Sequence, residues 1–151
     1  MKNRLFSILV VLIMVFAMTT TAFASSSSKT FYSTGTMSLY LAANASGKSN
    51  AITFNVYGLP TNAVVTKAEV NADANIFHSG MGAIVSTNAS LKSNTTDYKT
   101  LPWGSGNITD FTTVTGGNGT WSFYYQGTNV SSSYDATKWY QNVKLTIYYN
   151  Y

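Results

Sequence analysis

The sequence predicts an all-β fold, an antiparallel β-sandwich, and three observations predict it. Apolar and polar residues alternate with a period of two in several separate runs, the pattern of strands with one face buried. Clusters of Gly, Asn and Ser separate those runs at short intervals. Beyond residue 24 no window repeats its apolar residues every three to four positions, as an amphipathic helix would. Strand patterning does not separate an open sandwich from a closed sheet, so a barrel is the alternative architecture.

The first residues stand apart from that fold. Lys2 and Arg4 precede an apolar run, 5–18, broken by one serine, and Ala22-Phe23-Ala24 has the small-x-small form of a cleavage site. Residues 1–24 therefore read as a secretory signal peptide of bacterial type. A membrane span needs about 18 to 20 apolar residues, and this run stops short at Thr19-Thr20-Thr21. Residues 25–30, opening on the serine tract 25–28, are expected as a flexible leader, and residues 31–151 as a single β-sandwich domain.

The strands are justified in turn. In 36–41, Met37, Leu39 and Leu41 share a face opposite Tyr40; 44–50 has turn composition. Ile52, Phe54 and Val56 form the next row, ended by Gly58-Leu59-Pro60. The longest run, 64–78, puts Ala68, Val70, Ala72, Ala74 and Ile76 on one face and predicts one central strand. Its small side chains leave room for Trp103, Trp121, Phe123 and Tyr125. Gly80-Met81-Gly82 turns the chain, 83–87 returns, 88–106 reads as polar loop, and 108–114 holds one short strand. Gly116-Gly117-Asn118-Gly119 turns into 120–126, where Trp121, Phe123 and Tyr125 alternate with Tyr124. After a polar loop, Val143, Leu145, Ile147 and Tyr149 alternate with Lys144, Thr146 and Tyr148.

Several of these stretches together resemble the P domain, the jelly-roll module that follows the catalytic domain of proprotein convertases and many bacterial secreted proteases. The stretches are Val65-Thr66-Lys67-Ala68-Glu69-Val70, Ile76-Phe77-His78-Ser79, Asn118-Gly119-Thr120-Trp121-Ser122-Phe123 and Val143-Lys144-Leu145-Thr146-Ile147. The resemblance spans 52–149 and implies a jelly-roll-like sandwich that acts by contact, here as a stand-alone secreted version. The family usually carries an acidic residue just after the His-Ser turn; 80–84 has none, and Val143 stands where tryptophan is common.

Composition narrows the chemistry. Without Lys2 and Arg4 the formal charge falls from +4 to +2, with seven lysines, five acids and no arginine. Such a surface lacks the clustered cations that hold a nucleic-acid backbone. Cysteine is absent, so stability rests on packing. His78 is the only histidine, and a zinc site wants three or four such ligands. No cofactor is expected; calcium, held by Asp97, Asp110, Asp135 and loop carbonyls, is the one candidate. Glu69 and Asp73, four residues apart on one strand, would sit about 13 Å apart, too wide for a glycosidase pair.

The aromatic surplus points to binding. Tyr40, Tyr57, Tyr124 and Tyr148 lie opposite the apolar rows of their strands and are the candidate ligand-binding residues, while Tyr140, Tyr149 and Tyr151 crowd the chain end. Outward tyrosines offer a large contact area at small entropy cost, although tyrosine also suits strands for its own sake. Asn-x-Ser/Thr occurs at Asn44, Asn88, Asn94, Asn107, Asn118 and Asn129. The expectation is a secreted, extracellular, non-catalytic binding or interaction module whose partner is an extracellular protein or polysaccharide. The alternatives are a carbohydrate or cell-wall binding protein, a self-associating structural protein, and a small secreted hydrolase; no membrane association is expected once the signal peptide is removed.

Overall fold

The structure, a computed structural model, describes residues 25–72 and 75–151, and the side chains of 75–77 are not among those described. The expected signal peptide, with Asp73 and Ala74 from the long central run, lies outside the described residues. In chain order the strands are β1 Ser26–Thr34, β2 Met37–Leu41, β3 Ser46–Lys48, β4 Ile52–Val56, β5 Val64–Asn71 and β6 Asn75–Gly80. They continue as β7 Ile84–Lys92, β8 Lys99–Pro102, β9 Ile108–Phe111, β10 Gly119–Asn129, β11 Ala136–Gln141 and β12 Lys144–Asn150. A 3-10 turn, Ser105–Asn107, is the one helical piece among the described residues. The fold is thus all-β and antiparallel, as the period-two patterning requires.

Nine strands form one sheet in the order β8-β7-β10-β4-β1-β12-β5-β9, with β3 added alongside β10, and β2-β11-β6 form a second. Strand β1 turns the corner of the large sheet. Its residues 26–32 pair with β12, while Ser33 and Thr34 pair with β4. The large sheet curls until its ends, β8 and β9, approach each other across the 3-10 turn. There Gly104 N–H, just after β8, donates to Thr109 Oγ1 of β9. The small sheet lies against the inner side of β7 and β10: Tyr125 Oη donates to Lys138 O at 2.7 Å, and the Tyr125 and Tyr140 rings meet edge to face at 5.1 Å. The arrangement is a sandwich that is barrel-like along its large sheet.

The alternating rows fall where their period places them. Met37, Leu39, Leu41, Ile52, Phe54, Val56, Trp121, Phe123, Tyr125, Val143, Leu145, Ile147 and Tyr149 all join one buried core. Ala68, Val70 and Ala72 join the same core. Trp103 packs on Phe123, Tyr125 and Tyr140, with centroids 6.2, 5.6 and 5.4 Å away. Tyr140, read from sequence as part of an aromatic chain end, is fully buried in this cluster, and Tyr149 is buried as well.

Five expectations are corrected. The serine tract expected within a flexible leader, 25–30, is strand: Ser26, Ser27 and Ser28 pair with Asn150, Tyr149 and Tyr148. Main-chain pairing is indifferent to serine's small side chain, and β12 gains a ladder on its second edge. The run 64–78 is two strands in two sheets, β5 beside β12 and β6 beside β11. The stretch 88–106 contains the rest of β7 and all of β8, and the polar loop before Val143 contains β11. Strand β3 sits inside the expected turn 44–50. The predicted turn at Gly80 holds, with φ +88 and Asp135 O only 2.5 Å from where a Cβ would lie.

Burial also perturbs the polar groups behind the aromatic cluster. Burial holds the phenol of Tyr140 neutral, its pKa pushed up to about 12, and raises that of Tyr125 further. Lys138, buried on β11, donates to Ser86 Oγ at 3.0 Å, and burial lowers its pKa. The phenols stabilise the fold up to their unfolded value of 10.0 and lose that contribution as pH rises through the folded values. Lys138 has the opposite sign: its cost is full below its folded value and relieved as pH climbs towards 10.5. Alkaline unfolding is therefore expected to begin above about pH 10. In a titration, tyrosinate absorbance from this pair should appear only with loss of the circular-dichroism signal. Ionisation of all eleven tyrosines with the signal intact would contradict the burial.

Candidate functional site

The outward faces of the strands carry hydroxyl, amide and tyrosine side chains, and the four candidate tyrosines fall at four separate places. Tyr40 on β2 is exposed and donates to Asp135 Oδ2 at 2.6 Å, a hydrogen bond that raises its own pKa. Beyond β4, Tyr57 is exposed with Lys29 Nζ 4.9 Å from its ring centroid, and the same lysine donates to Tyr57 O at 2.8 Å. Half-buried Tyr124 on β10 lies under Lys48 Nζ at 5.8 Å, and half-buried Tyr148 on β12 lies under Lys67 Nζ at 4.5 Å. They do not form one row.

Among the described side chains, Tyr124 is the one of the four that meets an exposed aromatic ring across a loop. The segment between β7 and β8 carries Tyr98, whose ring stands edge to face against Tyr124 at 4.9 Å. Lys92 Nζ lies 5.9 Å from the Tyr98 ring, so cations flank both sides of the pair. Buried Ser90, the register partner of Tyr124, shares a hydrogen bond of 2.8 Å with Thr100 Oγ1 of β8.

Beside the pair, β10 opens into a groove of about 480 Å³ lined by Ser46, Gly47, Lys48, Thr87, Gln126, Gly127 and Thr128. Its origin is local. The β10–β7 register shifts between Gln126 and Gly127, a β-bulge whose extra residue, Thr87, bends β7 beside β10. On the other side of β10, Gly127 faces Gly47 of β3. A Cβ at Gly47 would lie 2.9 Å from Leu41 Cδ2, and one at Gly127 would lie 2.8 Å from Ile84 Cγ2. The two glycines thus let β3 and β10 sink onto the core and deepen the floor. Buried Ser49 closes the gap between β3 and β4: its N–H donates to Tyr125 O and its Oγ accepts from Tyr125 N–H.

The groove is a surface of hydroxyl and amide donors and acceptors. Ser46 Oγ pairs with Thr128 Oγ1 at 2.7 Å, and Asn88 Nδ2 donates to Gln126 Oε1 at 3.3 Å. Each hydroxyl has further hydrogen-bonding capacity, Gln126 keeps its amide donors, and no carboxylate lines the wall. Apolar ring faces beside a polar trough fit a polyhydroxylated ligand, whose sugar rings stack by their C–H faces while their hydroxyls bond the wall.

The acidic residues are distributed otherwise. Asp110 on β9 is the register partner of Glu69 on β5, and Lys67 Nζ bridges both carboxylates at 3.3 Å each. Desolvation pulls the Lys67 pKa down, but the two carboxylates outweigh it and the net direction is up. This cross-strand pair was invisible in the sequence because it needs the β5–β9 register. It lies on an open sheet face, and neither residue lines the grooves described here. Asp135 is held by Tyr40, Asp97 lies in the β7–β8 loop, and no group of three His, Asp or Glu gathers among the described residues. His78 is exposed on β6 opposite Lys138.

Sequence reading found Tyr124 by alternation but missed Tyr98, Lys48, Thr87 and Gln126. Tyr98 sits in a loop without period, and the others become neighbours only through the β10 pairings. The facing glycines were the one available signal, and glycine in a strand interior does mark close approach or a bulge. Comparison of the chain with protein-family models, with curated proteins and with solved structures finds no match.

Proposed function

We propose that this chain is an exported, non-catalytic module of P-domain-like build that binds polysaccharide through the groove along β10. One observation carries the reading: Lys48, which lines a carboxylate-free trough of hydroxyls and amides, lies over Tyr124 of the Tyr98–Tyr124 pair. Export is supported by the leader composition and by the position of β1, which begins at Ser26, so a chain cut after Ala24 keeps every strand of the described residues. Self-assembly by edge pairing is less well supported. The free side of β2 is capped by Asn50, whose Oδ1 accepts from Ser38 N–H at 2.7 Å and whose Nδ2 donates to Thr36 O at 2.9 Å.

The test uses protein recovered from culture medium, expected to begin at Ser25, and measures retention on cellulose, chitin and purified bacterial cell walls. Tyr124→Ala should weaken retention on the bound polymer by about 1 to 3 kcal/mol, the scale of an aromatic anchor. Amide replacements at Glu69, Asp110 and Asp135 should leave it within a few-fold, as exposed carboxylates do. Retention on none of the three polymers, or a Tyr124→Ala protein that binds like the parent, would defeat the proposal.

A further inference from the structure

A second groove repeats the first, on a different face of the molecule. It holds about 340 Å³ between β1, β12 and β5, with Ser28, Thr66, Tyr148 and Asn150 among its lining residues. It too arises at a bulge. The β12–β5 register shifts between Tyr148 and Tyr149, leaving Thr66 as the extra residue, just as Thr87 is the extra residue opposite Gln126 and Gly127. Thr66 Oγ1 spans the irregularity by donating to Tyr148 O at 3.2 Å. Each groove is lined by one member of an outward lysine–tyrosine pair: Tyr148, under Lys67, lines the second, and Lys48, over the Tyr124 ring, lines the first. As in the first groove, no carboxylate lines the wall.

The directions of the two grooves follow from the core. Tyr124 lies between Phe123 and Tyr125, and Tyr148 between Ile147 and Tyr149; all four flanking residues belong to the one buried core. Both tyrosines therefore point away from that core. Strands β10 and β12 stand three steps apart in the order β10-β4-β1-β12 of an eight-strand path whose ends approach each other without pairing. Around a closing sheet, three steps in eight turn the outward direction by about 135°. A single polymer chain lying along one face would not reach both grooves, but two chains would.

We propose that the protein is bivalent, holding two polysaccharide chains on roughly opposite faces, and so cross-links them. The inference rests on the polysaccharide reading of the β10 groove and adds a second site, Tyr148 with Ser28, Thr66 and Asn150, for the same ligand class.

The test uses purified bacterial cell-wall fragments and, separately, fine chitin particles. Binding is read by co-sedimentation and cross-linking by the protein concentration needed to agglutinate the suspension. Tyr124→Ala and Tyr148→Ala are the main variants, and Gln126→Ala and Asn150→Ala are smaller changes in the same grooves should either tyrosine variant misfold. Wild type should agglutinate the polymer it binds. Each single-groove variant should still co-sediment while needing at least about tenfold more protein to agglutinate, because linking two chains multiplies the two site affinities. The double variant should lose both properties. Wild type that binds without agglutinating overturns bivalency but leaves the β10 reading standing. So does a Tyr148→Ala or Asn150→Ala protein that agglutinates like the parent, an outcome that would also unmask cross-linking by dimers through one groove. Wild type retained on neither polymer overturns both readings together.

Discussion

Replacing Trp121 with alanine is expected to lower the unfolding free energy by about 3 to 5 kcal/mol, the range for a large aromatic truncated in a packed interior. Trp121 is wholly buried near the start of β10, and its register partner on β4 is Phe54, also wholly buried. The indole is held at both its apolar and its polar parts, because Nε1 donates to Gly117 O at 3.0 Å. Truncation therefore opens a cavity and removes that carbonyl's side-chain partner. Urea or guanidinium melts of the variant measure the loss directly. A decrease below about 1 kcal/mol would mean that the neighbouring strands collapse onto the vacated space, and the claim of a rigid core at β10 would fail.

Asn129→Ala should be destabilising on the same scale, for a different reason. The side chain is buried at the end of β10, where Nδ2 donates to Leu41 O, Ala42 O and Tyr134 O. Oδ1 accepts from Ala83 N–H at 3.2 Å and Ser131 N–H at 3.1 Å. One amide thus ties together the end of β2, the β6–β7 turn and the loop that leads into β11. Alanine removes a partner from five main-chain groups, of which Ala42 O keeps Ala45 N–H. The two amide hydrogens are shared among three carbonyls, so about 3 to 4 kcal/mol is expected at roughly 1 kcal/mol per bond lost. Asn129→Asp sharpens the test: an ionised carboxylate keeps the acceptor and sets negative charge against three carbonyls. That variant should be less stable at neutral pH than in mild acid, where protonation restores a donor. A loss under about 1 kcal/mol for the alanine variant would show that water replaces the amide without cost. The burial has a further consequence, since the Asn-x-Ser sequence at Asn129 is not presented by the folded chain.

These two residues also mark the boundary between what alternation reveals and what it hides. Trp121 was legible as core because Trp121, Phe123 and Tyr125 share one side of a period-two run. Asn129 stands out in the sequence only as one of six asparagines in an Asn-x-Ser/Thr pattern. A hydrogen-bonded amide can be buried as fully as a leucine, but only where the tertiary structure supplies the carbonyls and N–H groups.

The sequence by itself determined that the chain is all-β and which side chains face inward. Burial of a strand face is written locally, in every second residue, and it held for the rows at 37–41, 52–56, 121–125 and 143–149. It also determined that Tyr40, Tyr57, Tyr124 and Tyr148 point outward, by the same parity. Only the tertiary structure decided which strands are neighbours, because pairing uses main-chain groups that every residue except proline carries alike. For that reason the serine tract 26–28 became a paired strand, and the run 64–78 divided between two sheets. The same pairings set Asp110 against Glu69 and Gly47 against Gly127. The grooves lie one step further from the sequence. They depend on two bulges, each a mismatch in the residue count of two paired strands, and such a mismatch exists only when both strands are in place.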